Sequence, residues 1–159
     1  MKWIGGAMLA AVSIAATSPA VAQQWSALHI SDEAGFFGIG SVMELESGLK
    51  SVWLVDADPE ISDGVSYTVR NIYFDCDKAV SISQTAVAYD ASDRKLGEAS
   101  AEYLGSMASL APSEPIDPET IMGLYHRIAC ENERRPQGPL FAQAGPMIAR
   151  YRASQERRN

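Results

Sequence analysis

The stretch GVSYTVRNIYFDC, residues 64–76, decides the fold. Its apolar side chains alternate with polar ones, but the phase changes midway: odd positions such as Tyr67 are apolar in the first half, and even positions such as Phe74 in the second. Two explanations fit. Either the strand is covered on both faces, or a bulge near Arg70-Asn71 swaps its register. Both make this stretch the central strand of a sheet.

Further strands flank the central one, with turn-forming residues such as Asp58-Pro59 between them. The predicted strands are residues 25–30, a strand that begins at Phe36, and residues 49–57, 78–89 and 95–103. A helical turn is expected at residues 41–43. Sequential strands joined by short polar turns indicate an antiparallel meander.

The strand pattern ends after Gly105, where prolines mark a connecting loop. Asp117-Pro118 is expected to open a helix, because Asp suits the N-cap and proline the first helical position. The helix is predicted to end at Cys130. Its apolar stripe consists of Ile121, Leu124, Tyr125 and Ile128. A sheet followed by a helix predicts an α+β fold.

The first residues predict export. Met1-Lys2 is a short positive start, residues 3–16 are apolar and uncharged, and the small residues Ala20-Val21-Ala22 follow. This order is typical of a secretory signal peptide, with cleavage after Ala22. The apolar run is shorter than the roughly 20 residues that a spanning helix needs. We therefore expect a protein that is soluble after cleavage.

The chain has two cysteines, Cys76 and Cys130, and both lie after the predicted cleavage site. In an oxidising compartment such a pair is most simply a disulfide. The loop that it closes has about 55 residues, for which the chain-entropy model gives roughly 4 kcal/mol of stabilisation. Two free buried thiols are the alternative. Asp75 and Asp77 flank Cys76 and would raise the pKa of its thiol, which favours a structural cysteine over a reactive one.

Charge divides the chain after the predicted signal peptide (residues 1–22). Residues 23–133 contain 6 basic and 19 acidic residues, a net charge of −13, which argues against nucleic acid as a partner. Residues 134–159 have a net charge of +5 and are broken by proline and glycine. Residues 147–158 could form a short helix, but we expect this C-terminal tail to be the least ordered region. Its arginines could contact an anionic surface, or the tail could simply be solvated. They are Arg134, Arg135, Arg150, Arg152, Arg157 and Arg158.

Catalytic residues are not evident. His29 lies on a predicted strand beside Ser31 and Asp32, but neighbouring residues on a strand point to opposite faces. His126 lies away from the apolar stripe of the predicted helix. No phosphate-binding or hydrolase motif occurs in the chain, so we predict no catalytic residue and no cofactor.

Residues 56–64, with carboxylates at alternating positions, resemble the start of a calcium loop. However, Ile61 stands where such a loop has glycine, and Tyr67 where it has the bidentate glutamate. An acidic turn between strands explains the segment without a metal. We therefore predict no metal site.

Several of these features occur together in one known family. Phe36-Phe37-Gly38-Ile39-Gly40, the Val52-Trp53 strand, the Phe74-Asp75-Cys76 strand end and the helix that ends Ala129-Cys130 follow one another in this order. Over about residues 24–130, the chain resembles the surface-adhesin protein E-like proteins of Gram-negative bacteria. The resemblance implies an antiparallel sheet of about six strands, with a C-terminal helix held to one sheet face by the disulfide. It also implies adhesion to host proteins and a homodimer formed through the sheet.

The chain departs from that family at both ends. It has no lipidation cysteine near Ala22, and the arginine-rich tail lies outside the family pattern. We therefore expect a non-enzymatic binding domain of the cell envelope, periplasmic or secreted, with an unknown protein or envelope component as partner. One alternative is an envelope protein that uses its basic tail on anionic glycolipid or peptidoglycan. A periplasmic enzyme is the other.

Overall fold

The computed structural model describes residues 24–31, 35–100, 114–135 and 137–157. The predicted signal peptide lies outside these ranges. Seven strands are present in them: β1 (Ser26–Ser31), β2 (Gly35–Glu44), β3 (Lys50–Ala57), β4 (Tyr67–Asp75), β5 (Val80–Tyr89), β6 (Lys95–Ser100) and the two-residue β7 (Glu114–Pro115). Two helices follow, α1 (Ile121–Cys130) and α2 (Ala144–Glu156).

The six longer strands form one antiparallel sheet in chain order, β1 to β6, as the meander predicts. The short strand β7 pairs with the start of β5, opposite Val80 and Ser81. Within the described ranges, no helix is long and apolar enough to cross a membrane.

The central strand β4 is covered on both faces, so the first explanation of its pattern is correct. Its pairing with β3 runs without a shift from Asp56↔Thr68 to Lys50↔Phe74. The irregularity lies on the β5 side, where Asn71 pairs with Thr85 but Ile72 pairs with Ser83. The apolar side chains in the first half of β4 therefore pack toward α2, and those in the second half pack toward α1.

Helix α1 covers one face of the sheet, which we call the α1 face. Its Tyr125 is 0% exposed and donates a hydrogen bond to the carbonyl oxygen of Gly38 at 3.3 Å. The buried residues of this cluster are Ile39, Val52, Leu54, Ile72, Phe74, Tyr125, Ile128 and Ala129.

The disulfide between Cys76 and Cys130 is present and holds α1 to the sheet. It joins the residue after β4 to the last residue of α1, with 5.5 Å between the two Cα atoms. The predicted arrangement of an antiparallel sheet with a helix tethered to one face is confirmed.

Helix α2 covers the opposite face, the α2 face. The prediction that residues 134–159 form a tail outside the domain is wrong for this helix. Its Met147 and Ile148 are each 2% exposed, and Trp25 and Phe141 exchange backbone hydrogen bonds of 2.8 and 2.9 Å just before it. The cluster contains Trp25, Phe36, Val55, Ala57, Tyr67, Val69, Ala144, Met147, Ile148 and Tyr151.

The sequence predicts a short helix only from Met147, because Gly145-Pro146 are typical helix breakers. Both lie in the first turn of the helix, where backbone N–H groups have no intrahelical partner, so proline costs little there. The buried residues Ala144, Met147, Ile148 and Tyr151 then follow at helical spacing.

Two local predictions are also wrong. Residues 41–43 continue β2 after a register shift between Ile39 and Val42, and do not form a helical turn. Helix α1 begins at Ile121 instead of Pro118, because the Thr120 hydroxyl accepts the N–H of Gly123 and caps the helix.

Candidate functional site

A cavity of about 490 Å³ opens between the α2 face of the sheet and the start of α2. Four aromatic side chains and one carboxylate contribute to its walls. The lining residues are Trp25, Trp53, Tyr67, Val69, Tyr89, Asp93, Ala142, Gln143, Ala144 and Gly145.

Three neighbouring strands supply most of the aromatic wall. Trp53 on β3, Tyr67 on β4 and Tyr89 on β5 all lie on the α2 face. Tyr67 and Tyr89 are cross-strand partners, and their rings stack with centroids 5.0 Å apart and planes 10° apart. This stacking and the rigid strands beneath hold the wall in place without a ligand.

The carboxylate of the cavity comes from the turn between β5 and β6. Asp93 lies there in the left-handed backbone region, with φ of 61°. Asp90 stabilises the turn, because its carboxylate accepts the backbone N–H groups of Ser92 at 2.8 Å and Arg94 at 3.0 Å. Asp93 in turn accepts the hydroxyl of Tyr67 on Oδ1 at 2.9 Å.

Helix α2 closes the cavity at its first turn. The carboxylate of Asp93 lies so close to Gly145 that a Cβ atom there would be 2.0 Å from Oδ1. Glycine is therefore required for this approach. The positive end of the helix also favours a carboxylate at this place, since the N-cap Gln143 makes no side-chain capping bond.

Tyr67 stays protonated over the physiological range. Burial raises the pKa of its hydroxyl well above the ordinary value, and the hydrogen bond to Asp93 and the charge of that carboxylate raise it further. The hydroxyl consequently remains a donor that orients Asp93.

Of the two histidines considered above, His126 is not among the described residues that line this cavity. His29 belongs to β1, and its side chain lies outside the described atoms. His126 lies on the α1 side with only 12% of its side chain exposed, packs edge-on against Phe74 and is 3.6 Å from Glu131.

The acidic side chains of segment 56–64 have different surroundings. Asp56 faces Arg70, with Oδ1 2.8 Å from the guanidinium nitrogens Nε and Nη2, and burial raises the pKa of this carboxyl against the lowering effect of Arg70. Asp58 and Asp63 are exposed. Among the described residues, no three His, Cys, Asp or Glu side chains form a group that could hold a metal.

The six arginines of the C-terminal segment have different roles. Arg152 donates hydrogen bonds to the carbonyl oxygens of Asp58, Pro59 and Ser66, at 3.2, 3.1 and 2.8 Å, and so attaches α2 to the β3–β4 connection. Arg135 is half-buried, which lowers the pKa of its guanidinium. Arg158 lies outside the described residues. Those that are exposed are Arg134, Arg150 and Arg157.

The sequence does not predict this cavity. Trp53 and Tyr67 lie on strands that the sequence predicts, but no sequence pattern singles out Asp93. The available signal was the series of aromatic residues on three successive strands followed by a carboxylate in the next turn. Its meaning depends on the cross-strand register and on the packing of α2 against the sheet, and the sequence predicts neither.

Comparisons of this chain with known protein families, with curated proteins and with solved structures found no match.

Proposed function

We propose that the protein is an exported, non-enzymatic binding domain of a Gram-negative cell envelope, similar in plan to the surface-adhesin protein E-like proteins, and that it binds its ligand in the aromatic cavity on the α2 face. The observation that supports this most is the composition of that cavity. It combines apolar and aromatic walls with one oriented carboxylate, which is typical of small-molecule sites.

The disulfide supports export, because such bonds persist in oxidising compartments. It also joins the sheet to α1 in the way that the adhesin resemblance implies. The cavity is on the other face, so the bridge stabilises the sheet without obstructing the site.

A preformed site favours binding because little order has to be created when the ligand arrives. The Tyr67–Tyr89 stack and the Tyr67–Asp93 hydrogen bond already hold three of the walls. The neighbouring Gly145 allows the helix to approach the carboxylate closely.

Tryptophan fluorescence tests the proposal directly, because Trp25 and Trp53 are the two tryptophans after the predicted cleavage site and both line the cavity. We expect small-molecule fractions of periplasmic extract to shift the emission of the exported protein. Ala142→Phe, at an exposed lining residue, should fill the cavity and abolish the shift.

The matched control is Ala149→Phe, an exposed alanine on α2 that does not line the cavity. It should respond like the unmodified protein. If no fraction changes the emission, or if both variants respond equally, the cavity is not the binding site and the proposal is wrong.

A second candidate is association with anionic glycolipid or peptidoglycan through the exposed arginines Arg134, Arg150 and Arg157. Deleting residues 134–159 would not test it cleanly, because the deletion removes α2 from the core. Replacing the three arginines with glutamine should leave the fold intact, because all three residues are exposed. If this candidate is right, salt-sensitive association with envelope fractions is lost in the triple variant; unchanged fractionation excludes it.

A further inference from the structure

Among the described residues that line the aromatic cavity, one side chain is charged, and that charge is negative. Asp93 is its carboxylate, and the ten lining residues include no lysine, arginine or histidine. Asp93 forms no ion pair with the described residues, and its Oδ2 atom accepts no hydrogen bond from them. An anionic ligand would meet this carboxylate without a compensating cation, whereas a cationic ligand would neutralise it.

The aromatic walls also favour a positively charged ligand. The face of an indole or phenol ring carries partial negative charge, and it attracts a cation within about 6 Å of the ring centre. Trp53 and Tyr89 are half-buried, so part of each side chain remains accessible from the cavity. Val69, Ala142 and Ala144 add apolar surface that suits alkyl groups.

Neutral sugars fit this lining less well, because a sugar needs several hydrogen-bonding side chains for its hydroxyl groups. Besides the aromatic residues, the polar side chains in the described part of the lining are those of Asp93 and Gln143. The hydroxyl of Tyr67 already donates to Asp93 and is not free to donate to a sugar.

We infer that the cavity binds an organic cation of the alkylated ammonium class, with the cationic centre between Asp93 and the aromatic rings of Trp53 and Tyr89. This inference rests on the proposed function and specifies its ligand. The acidic body of the protein would raise the local concentration of such cations.

Choline and its neutral isostere 3,3-dimethyl-1-butanol test this inference, since the two differ chiefly in the charge of the quaternary centre. Binding is measured by tryptophan fluorescence and calorimetry on the exported protein with its disulfide intact. We expect choline to bind about tenfold more tightly than the isostere, the difference that a desolvated cation–π contact and one carboxylate can supply. N-acetylglucosamine serves as the sugar probe and should not compete.

Asp93→Asn removes the charge and retains an oxygen that can accept the Tyr67 hydroxyl. Asparagine also tolerates the left-handed conformation of this position. The variant should weaken choline about tenfold. Asp63→Asn is the matched control, an exposed aspartate with φ of 52° in the turn before β4 and outside the lining; it should bind choline normally.

Trp53→Leu gives a second, independent variant. It removes an aromatic wall and leaves Trp25 as the fluorescent reporter, and it should also weaken choline. Circular dichroism checks that each variant is folded.

Equal binding of choline and its isostere, or unchanged choline binding by folded Asp93→Asn protein, would overturn the assignment of a cation. If choline and the isostere both fail to bind while extract fractions still shift the emission in a manner blocked by Ala142→Phe, the ligand class is wrong and the proposed function stands. If the extract fractions fail as well, the proposed function itself is refuted.

Discussion

The hydroxyl of Tyr67 donates to Oδ1 of Asp93 at 2.9 Å, although 26 residues separate them in the chain. The bond joins β4 to the turn between β5 and β6, next to the first turn of α2. It orients the carboxylate of the cavity, and the close approach of Gly145 holds the same carboxylate from the helix side.

Gly145→Ala should disturb this arrangement. The new Cβ would be 2.0 Å from Oδ1 of Asp93, so the carboxylate or the start of the helix must shift, which disturbs the bond to Tyr67. Overpacking of this kind costs about 1–3 kcal/mol in the free energy of unfolding, less the gain of about 1 kcal/mol that alanine brings inside a helix. Denaturant unfolding measures the change in stability, and the tryptophan emission maximum reports the displacement of the carboxylate.

Gly138→Ala is the control for that experiment, because a Cβ atom there would contact nothing within 4 Å. It should change neither quantity. An unchanged emission maximum in Gly145→Ala would show that the carboxylate is not packed against the helix start.

The stability of the protein should fall above pH 10. The pKa of Tyr67 is raised in the folded protein by burial and by Asp93, while in the unfolded chain it has its ordinary value near 10.0. A raised pKa contributes stability that is fully present below pH 10.0 and is lost as the pH rises toward the folded pKa, because the unfolded chain releases its proton first.

Tyr67→Phe should therefore reduce the decline of the unfolding free energy measured between pH 9 and pH 12. Part of the decline should persist, because burial raises the pKa of Tyr125 in the same direction. Asp93→Asn should give an intermediate result. An equal slope in the unmodified protein and in Tyr67→Phe would contradict the prediction.

Met147→Ala tests whether α2 belongs to the core. Met147 is 2% exposed within the cluster that contains Trp25 and Phe36, so truncation should lower the free energy of unfolding by about 2–5 kcal/mol. Arg150→Ala, at an exposed position on the same helix, should change it by less than about 0.5 kcal/mol. Similar small values for both would mean that α2 does not pack on the sheet.

The disulfide should contribute strongly to stability. Replacing Cys76 and Cys130 together with serine frees a chain segment that spans 54 positions, and we expect a loss of about 2–5 kcal/mol. Mass mapping under non-reducing conditions should show the Cys76–Cys130 peptide. Free thiols at both positions would refute the bridge.

Much of the architecture could be predicted because it depends on local patterns. The strand alternation from Trp53 to Phe74 and the polar turns between strands led to the antiparallel meander. The stripe of α1 and the even number of cysteines led to a helix tied to the sheet. In each case the residues that determine the structure are neighbours in sequence or, for the disulfide, a single pair of cysteines.

The sequence by itself thus determined the order of the strands, helix α1 and the disulfide, because hydrophobic period and cysteine number are properties of the chain. Only the tertiary structure decided that α2 is core and that Trp53, Tyr67, Tyr89 and Asp93 share one cavity. The sequence predicts a short helix from Met147, but glycine and proline hide its first turn, and its stability comes from packing against the sheet. The cavity depends on register across three strands and on a contact between Asp93 and Gly145, 52 positions apart in the chain, and no local pattern encodes it.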